Sequence, residues 1–279
     1  MRRQQIILLS AAAVLFILIF FVANKKPPKA EATLPAVSQN AAPTSVNMIE
    51  SGKENAAPAL KATLTQLEKQ SVEGNQTSKI NALHELAHLW KDSLRNQPVA
   101  VYYEGEIAKL ENSEKSLNFA ANSLLQYLMV EHDPGKQKWY AEKAKELFDK
   151  SLEINPANDS TVVGLGATYM FGNISDNPME GITKVRQVAD KNPANTYAQM
   201  MLGLGGMKSG QFENAVKRFE KVIENEPDNL LAIFSIAESY ERLSDKENAI
   251  KWYNVAKDKV QIEEAKKDID ERIRDLQLR

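Results

Sequence analysis

The residues with the clearest chemical potential stand at His84-Glu85-Leu86-Ala87-His88, which satisfies the pattern H-E-x-x-H. On a helix this spacing sets two imidazoles one turn apart, where they can share a zinc ion beside a glutamate base. Glu104, Glu106 or Glu111 stands where a third ligand could come from. Neither H-E-x-x-H-x-x-G-x-x-H nor an Asn-Ala-x-x-Glu continuation follows, so the motif stays five residues long with two free positions. His84 and His88 are therefore weak metal candidates, and a solvated or groove-facing pair is the expectation. Gly164-Leu165-Gly166 and Gly203-Leu204-Gly205-Gly206 resemble phosphate loops in composition only. No strand precedes them and no Gly-Lys-Ser/Thr follows, which leaves close helix packing as their use. The chain has no cysteine and three histidines. That excludes disulfides, thiolate catalysis and Cys-ligated metal centres, and with them most catalytic classes. No cofactor, no resident metal and no enzymatic activity are expected.

The elements that carry these residues repeat. Leu165 and Gly166 return as Leu202 and Gly203 after 37 residues, then as Ile236 and Ala237 after 34. Ala144, Gly181, Ala215 and Ala249 keep steps of 37, 34 and 34, as do Phe148, Val185, Phe219 and Tyr253. Pro156, Pro193 and Pro227 follow the same register. Each column has a physical use in a pair of antiparallel helices. Small residues on the two helices let their backbones approach, a large apolar group fills the space between pairs, and proline ends the second helix.

This pattern resembles the tetratricopeptide repeat (TPR) family, most closely over 202–229 and 236–258. The resemblance implies an all-α fold, an α-α superhelix (solenoid) of about five helix pairs over 59–279. Its best repeats are 159–195, 196–229 and 230–260. A capping helix is predicted at 262–277, with Ile262, Ala265, Ile269, Ile273 and Leu276 on one stripe. Gly206 departs from the pattern, standing where Tyr169 and Tyr240 supply an aromatic ring, and predicts a looser interior there.

The same resemblance implies a concave groove lined by first helices. Its exposed positions would be Ser160, Val163, Ala167, Met170 and Phe171 in one repeat, then Tyr197, Met200, Leu204, Met207 and Lys208. Leu231, Phe234, Glu238, Glu241 and Arg242 would serve the last. The Lys, Asn and Arg cluster with which some family members clamp a terminal carboxylate is missing. Apolar, adaptable Met, Phe, Leu and Tyr contacts suit an amphipathic helix or extended segment of a partner protein instead.

Ahead of the repeats, residues 6–23 form an uncharged apolar run that would span about 27 Å as a helix, near bilayer thickness. Arg2 and Arg3 precede it. Residues 1–23 are expected to be an N-terminal transmembrane signal anchor, with a cleaved signal as the alternative, and the body outside the cytoplasm, in a periplasm if the source is bacterial. Residues 24–58, rich in Pro, Ala and Ser, read as a disordered tether. Six basic and three acidic side chains in 1–58 leave the rest at −5, from an overall −2, which argues against a nucleic-acid partner. The sequence therefore describes a membrane-tethered adaptor or scaffold. An accessory factor in envelope or cytochrome c assembly is one alternative, and a zinc-dependent hydrolase built on His84, Glu85 and His88 is the other.

Overall fold

The computed structural model describes residues 45–54, 56–172, 174 and 179–278. The apolar run at 6–23 and the tether as far as residue 44 lie outside the described residues. Among those described, no helix is long and apolar enough to cross a membrane. They form α-helices, with no strand. The chain divides into two compact units, which meet in sequence at Lys191 and Asn192.

The N-terminal unit contains α1 (Ser45–Lys53), α2 (Pro58–Val72), α3 (Gln76–His88), α4 (Gln97–Glu111), α5 (Glu114–Val130), α6 (Pro134–Ile154), α7 (Asp159–Gly172) and α8 (Met179–Lys191). From α2 onward each helix packs on the next, and α5 also touches α7. The pairs are α3/α4, α5/α6 and α7/α8. Side chains at their N-caps explain where helices begin. Asn75, Asn96, Ser113 and Asp133 each accept a hydrogen bond from a backbone N–H three residues on. Pro98 and Pro134 sit in first turns, where their missing N–H costs nothing.

The small-residue columns work as the sequence implies. A Cβ placed on Gly181 would come within 2.4 Å of the Gly166 carbonyl oxygen, and one on Gly166 within 2.8 Å of the Gly181 oxygen. Helices α7 and α8 therefore touch backbone to backbone. The Phe148 ring lies against Gly164 of the following pair, so it fills the space between pairs. The column's next ring differs, because Phe219 lies against Gly203 of its own pair.

The C-terminal unit holds α9 (Thr196–Lys208), α10 (Phe212–Asn225), α11 (Leu230–Arg242), α12 (Lys246–Lys259) and α13 (Glu263–Leu278). Here α9/α10 and α11/α12 are the pairs, and α13 packs on α12. Asn195, Asn229 and Asp245 cap three of these helices. Second helices α6, α8 and α10 end at Ile154, Lys191 and Asn225, each two residues before Pro156, Pro193 and Pro227. Across the two units, the described helices from α3 to α12 make five consecutive pairs, followed by α13. Ala265, Ile269, Ile273 and Leu276 of α13 are buried against Tyr253, Ala256 and Val260. Ile262 is the exception on that stripe, 40% exposed, because it precedes the first turn of α13.

Two expectations need correction. Part of the segment read as a disordered tether is the helix α1. Its Lys53 is buried, with Nζ 2.6 Å from Glu68 and 3.0 Å from Glu50, and a Cβ on Gly52 would meet the Trp90 ring at 2.6 Å. Local composition favours disorder there, but these contacts are tertiary. The second correction concerns Gly206, whose missing ring is not replaced by open space. A Cβ there would find Ala215 Cβ at 3.3 Å, so the two helices close around the glycine.

Candidate functional site

The H-E-x-x-H stretch lies on α3, as the pattern requires. Leu83, Leu86 and Ala87 point into a core shared with Leu64, Trp90 and Tyr103. His84, Glu85 and His88 face outward. Glu85 lines a shallow cleft of about 750 Å³ between α2 and α3, beside Gln66, Gln70, Ser78 and Asn81. Immediately after His88 the helix widens into a π turn, Leu89–Ser93. Asp92, in that turn, holds its Oδ2 3.0 Å from His88 Nε2. Glu104, Glu106 and Glu111, considered as a third ligand, stand on α4 instead. Glu106 is engaged by the Lys109 ammonium at 2.7 Å. No group of three or more metal-binding side chains converges among the described residues.

The groove positions divide into two sets. Val163, Ala167, Met170 and Phe171, expected to be exposed on α7, are buried in the N-terminal unit. Met200 on α9 and Phe234 on α11 are buried as well. Phe234 belongs to the core with Ile233, Ala237 and Tyr253. These six are corrected from contact residues to packing residues. The reason is geometric: a first helix in a stack has neighbours on more than one side, so its apolar stripe is wider than a single-sided pattern suggests. What remains accessible on α9 and α11 is a mixed surface. Tyr197, Leu204, Met207 and Leu231 are half-buried, Glu238 is partly covered, and Lys208 and Arg242 are exposed. Ser160 on α7 is exposed too.

The electrostatics of this surface centre on α11. Burial pushes the Glu238 carboxyl above the usual carboxylate range, and Arg242, 3.6 Å away, only partly offsets it. Burial also pushes the Tyr197 hydroxyl up to about 12. One turn from Glu238, Glu241 accepts two hydrogen bonds from Arg272 of α13, at 2.9 and 2.7 Å, and one from the Tyr253 hydroxyl at 3.2 Å. A bidentate guanidinium is the geometry that planar carboxylates hold best. This cluster pins the last helix to α11. Arg272→Ala is expected to lower the stability of the C-terminal unit by about 1–2 kcal/mol, discounted because the guanidinium is partly solvated. Thermal unfolding followed by circular dichroism, with proteolysis of α13 as a second readout, checks this. Unchanged stability would show the pair to be ornamental.

One exposed residue was missed by sequence reasoning. Phe119 on α5 is 68% exposed, the most accessible aromatic side chain among the described residues. The signal was present in the spacing. Leu117, Ala120, Ala121, Leu124, Leu125 and Leu128 form the buried stripe of α5, and Phe119 falls off it. Val130, at the end of the same helix, is exposed as well.

Within each unit, consecutive helix pairs with small residues at their seams define an α-helical repeat architecture. Residues 206–261, from the end of α9 past the end of α12, match the family model of the tetratricopeptide repeat. Among solved structures, the chain is similar to a MamA protein at 17% identity and a TM-score of 0.43, over 71% of this chain and 91% of that one. A MamA fragment (residues 41 to the end) from Desulfovibrio magneticus RS-1 overlaps at 18% identity and a TM-score of 0.43, over 67% and 96% of the two chains. YrrB, described as a TPR protein with an unusual peptide-binding site, overlaps at 16% identity and a TM-score of 0.42, over 75% and 98%.

Proposed function

We propose that this chain is a membrane-tethered adaptor that holds a segment of a partner protein against the outward faces of its first helices and performs no chemistry on it. The apolar run at 6–23 is the anchor in this reading, and the repeats lie outside the cytoplasm. Confinement near a bilayer raises the effective concentration of the body for partners in the same membrane. The observation that carries the reading is Phe119. A phenyl ring left two-thirds exposed on a well-packed helix forfeits burial worth about 2 kcal/mol, which a partner recovers on covering it.

Because Phe119 lies off the packing stripe, Phe119→Asp is expected to leave the fold intact. Crosslinking in the native membrane, followed by affinity recovery, should return the partner from the wild-type chain and at least about tenfold less from the variant. Equal recovery from a variant with unchanged circular dichroism refutes the reading. Met200→Glu and Phe234→Glu are unsuitable for this purpose, since both residues are buried and a carboxylate there would disturb folding first.

A further inference from the structure

We propose that the pocket beneath α1 is a recognition site for a helical segment in which glycine is followed by lysine. Helix α1 is its resident occupant, and a partner segment with the same pair displaces it. The site lies apart from Phe119 and does not rest on the adaptor reading.

The two terminal helices are held in different ways. Helix α13 buries Ala265, Ile269, Ile273 and Leu276, the apolar stripe of a permanent cap. Among the described side chains of α1, Lys53 alone is buried; Met48 and Ile49 are half covered, and Glu50 and Ser51 are exposed. An ammonium, not an apolar face, does most of the holding. Burial works against the Lys53 charge, but hydrogen bonds to Glu68 and Glu50 more than offset it and keep its pKa above the usual lysine value. With nine residues, α1 is also shorter than the roughly 12–15 that a helix needs to persist alone in water. It keeps its shape only while docked.

The receiving surface belongs to the body. Tyr103 of α4 donates its hydroxyl to Glu68 Oε1 of α2 at 3.1 Å, which leaves Oε2 to accept from Lys53 Nζ at 2.6 Å. The carboxylate is therefore aimed by a residue that does not move with α1. Beside it, the fully buried Trp90 ring forms a wall. A Cβ on Gly52 would stand 2.6 and 2.8 Å from two carbons of that ring, so the wall admits glycine and refuses larger residues. Charge selects the lysine, and close approach selects the glycine before it.

Helix α1 reaches this pocket from residues 54–57, ahead of α2. A link that short gives an effective concentration of about 1 mM. Docking in nine molecules of ten then implies a Kd of about 0.1 mM or tighter for the same contacts made by a separate chain. A partner segment that adds contacts beyond the pocket displaces α1.

A fluorescent peptide of residues 45–57, titrated into the full-length protein in detergent micelles and followed by anisotropy, tests the proposal. The Lys53→Ala protein, its own α1 loosened, should bind the peptide saturably and at least about tenfold more tightly than wild type does. Carrying Lys53→Ala or Gly52→Ala in the peptide, or Glu68→Gln in the protein, should weaken binding at least about tenfold. Amide exchange gives a second readout: excess peptide should raise exchange in α1 of the wild-type protein and leave α2 and α3 protected. Absence of saturable binding, or binding indifferent to Lys53 and Glu68, overturns the site. Exchange in α1 that saturating peptide does not change overturns the displacement. A melting midpoint many degrees lower in Lys53→Ala makes α1 a permanent cap and overturns its role as a ligand. A wild-type dimer that dissociates in Lys53→Ala identifies a second copy as the occupant and overturns the arrangement within one chain.

Discussion

Replacing Trp90 by alanine should cost the N-terminal unit about 3–5 kcal/mol, the range for emptying a fully buried large aromatic site. The indole sits at 0% exposure among Leu64, Leu86, Val99 and Tyr103, drawn from α2, α3 and α4. Its far edge abuts Gly52 of α1. Removal therefore opens a cavity and takes away the surface on which α1 rests. Against a total stability of about 5–15 kcal/mol for a typical domain, the loss is a large fraction. The measurements are the melting midpoint and amide exchange. Trp90→Ala should lower the midpoint and raise exchange in α1 to levels expected of free peptide, whereas Trp90→Phe should do much less of both. A midpoint within a degree or two of wild type would show that the site collapses around the smaller side chain. The core would then be softer than its burial implies.

The second large effect is expected at the glycine seam of α7 and α8. In Gly181→Val, the new Cβ would start 2.4 Å from the Gly166 carbonyl oxygen and 2.7 Å from Tyr169 Cβ. A side-chain neighbour can rotate away, but a backbone carbonyl inside a helix cannot, so the two helices must separate. Overpacking of this kind costs about 3 kcal/mol, and the valine methyls add to it. For a unit of this size the midpoint should drop on the order of 10 °C. Gly206→Ala is the control. Its nearest neighbours are 3.3–3.4 Å away, and alanine recovers about 1 kcal/mol of helix propensity, so the change should be close to neutral. Equal losses at Gly181 and Gly206 would mean that any side chain in these columns is refused. Equal neutrality would mean that the seam at α7 and α8 is loose.

The contrast between those glycines shows how far the sequence could be read. A column of small residues at fixed spacing reveals that two helices meet, and Gly166, Gly181 and Gly203 were legible on that ground. It does not reveal whether the missing Cβ faces a carbonyl, a ring or a methyl group, because that depends on a crossing angle the sequence does not state. The proline column and the stripe of α13 were legible for the same local reason. Ile262 was misplaced because the apolar periodicity continues one residue beyond the helix start at Glu263.

The candidate site was less legible. Met170, Phe171, Met200 and Phe234 have the residue types of a contact surface, yet stacking on a further helix buries them. Phe119 has the same chemistry and remains open. Residue type did not separate them; the position relative to the buried stripe of the helix did. The His88–Asp92 contact, 3.0 Å long, follows from the four-residue spacing that makes side chains neighbours on a helix surface.

Helix α1 has a mechanical consequence. A pull on the chain from the N-terminal side of Ser45 reaches the rest of the N-terminal unit through α1. A force arriving from residue 44 meets α1 before it meets any repeat. What resists it first is the pair of Lys53 with Glu68 and the seating of Gly52 on Trp90. Breaking those two contacts would free α1 without disturbing the packing of α2 on α3 behind it.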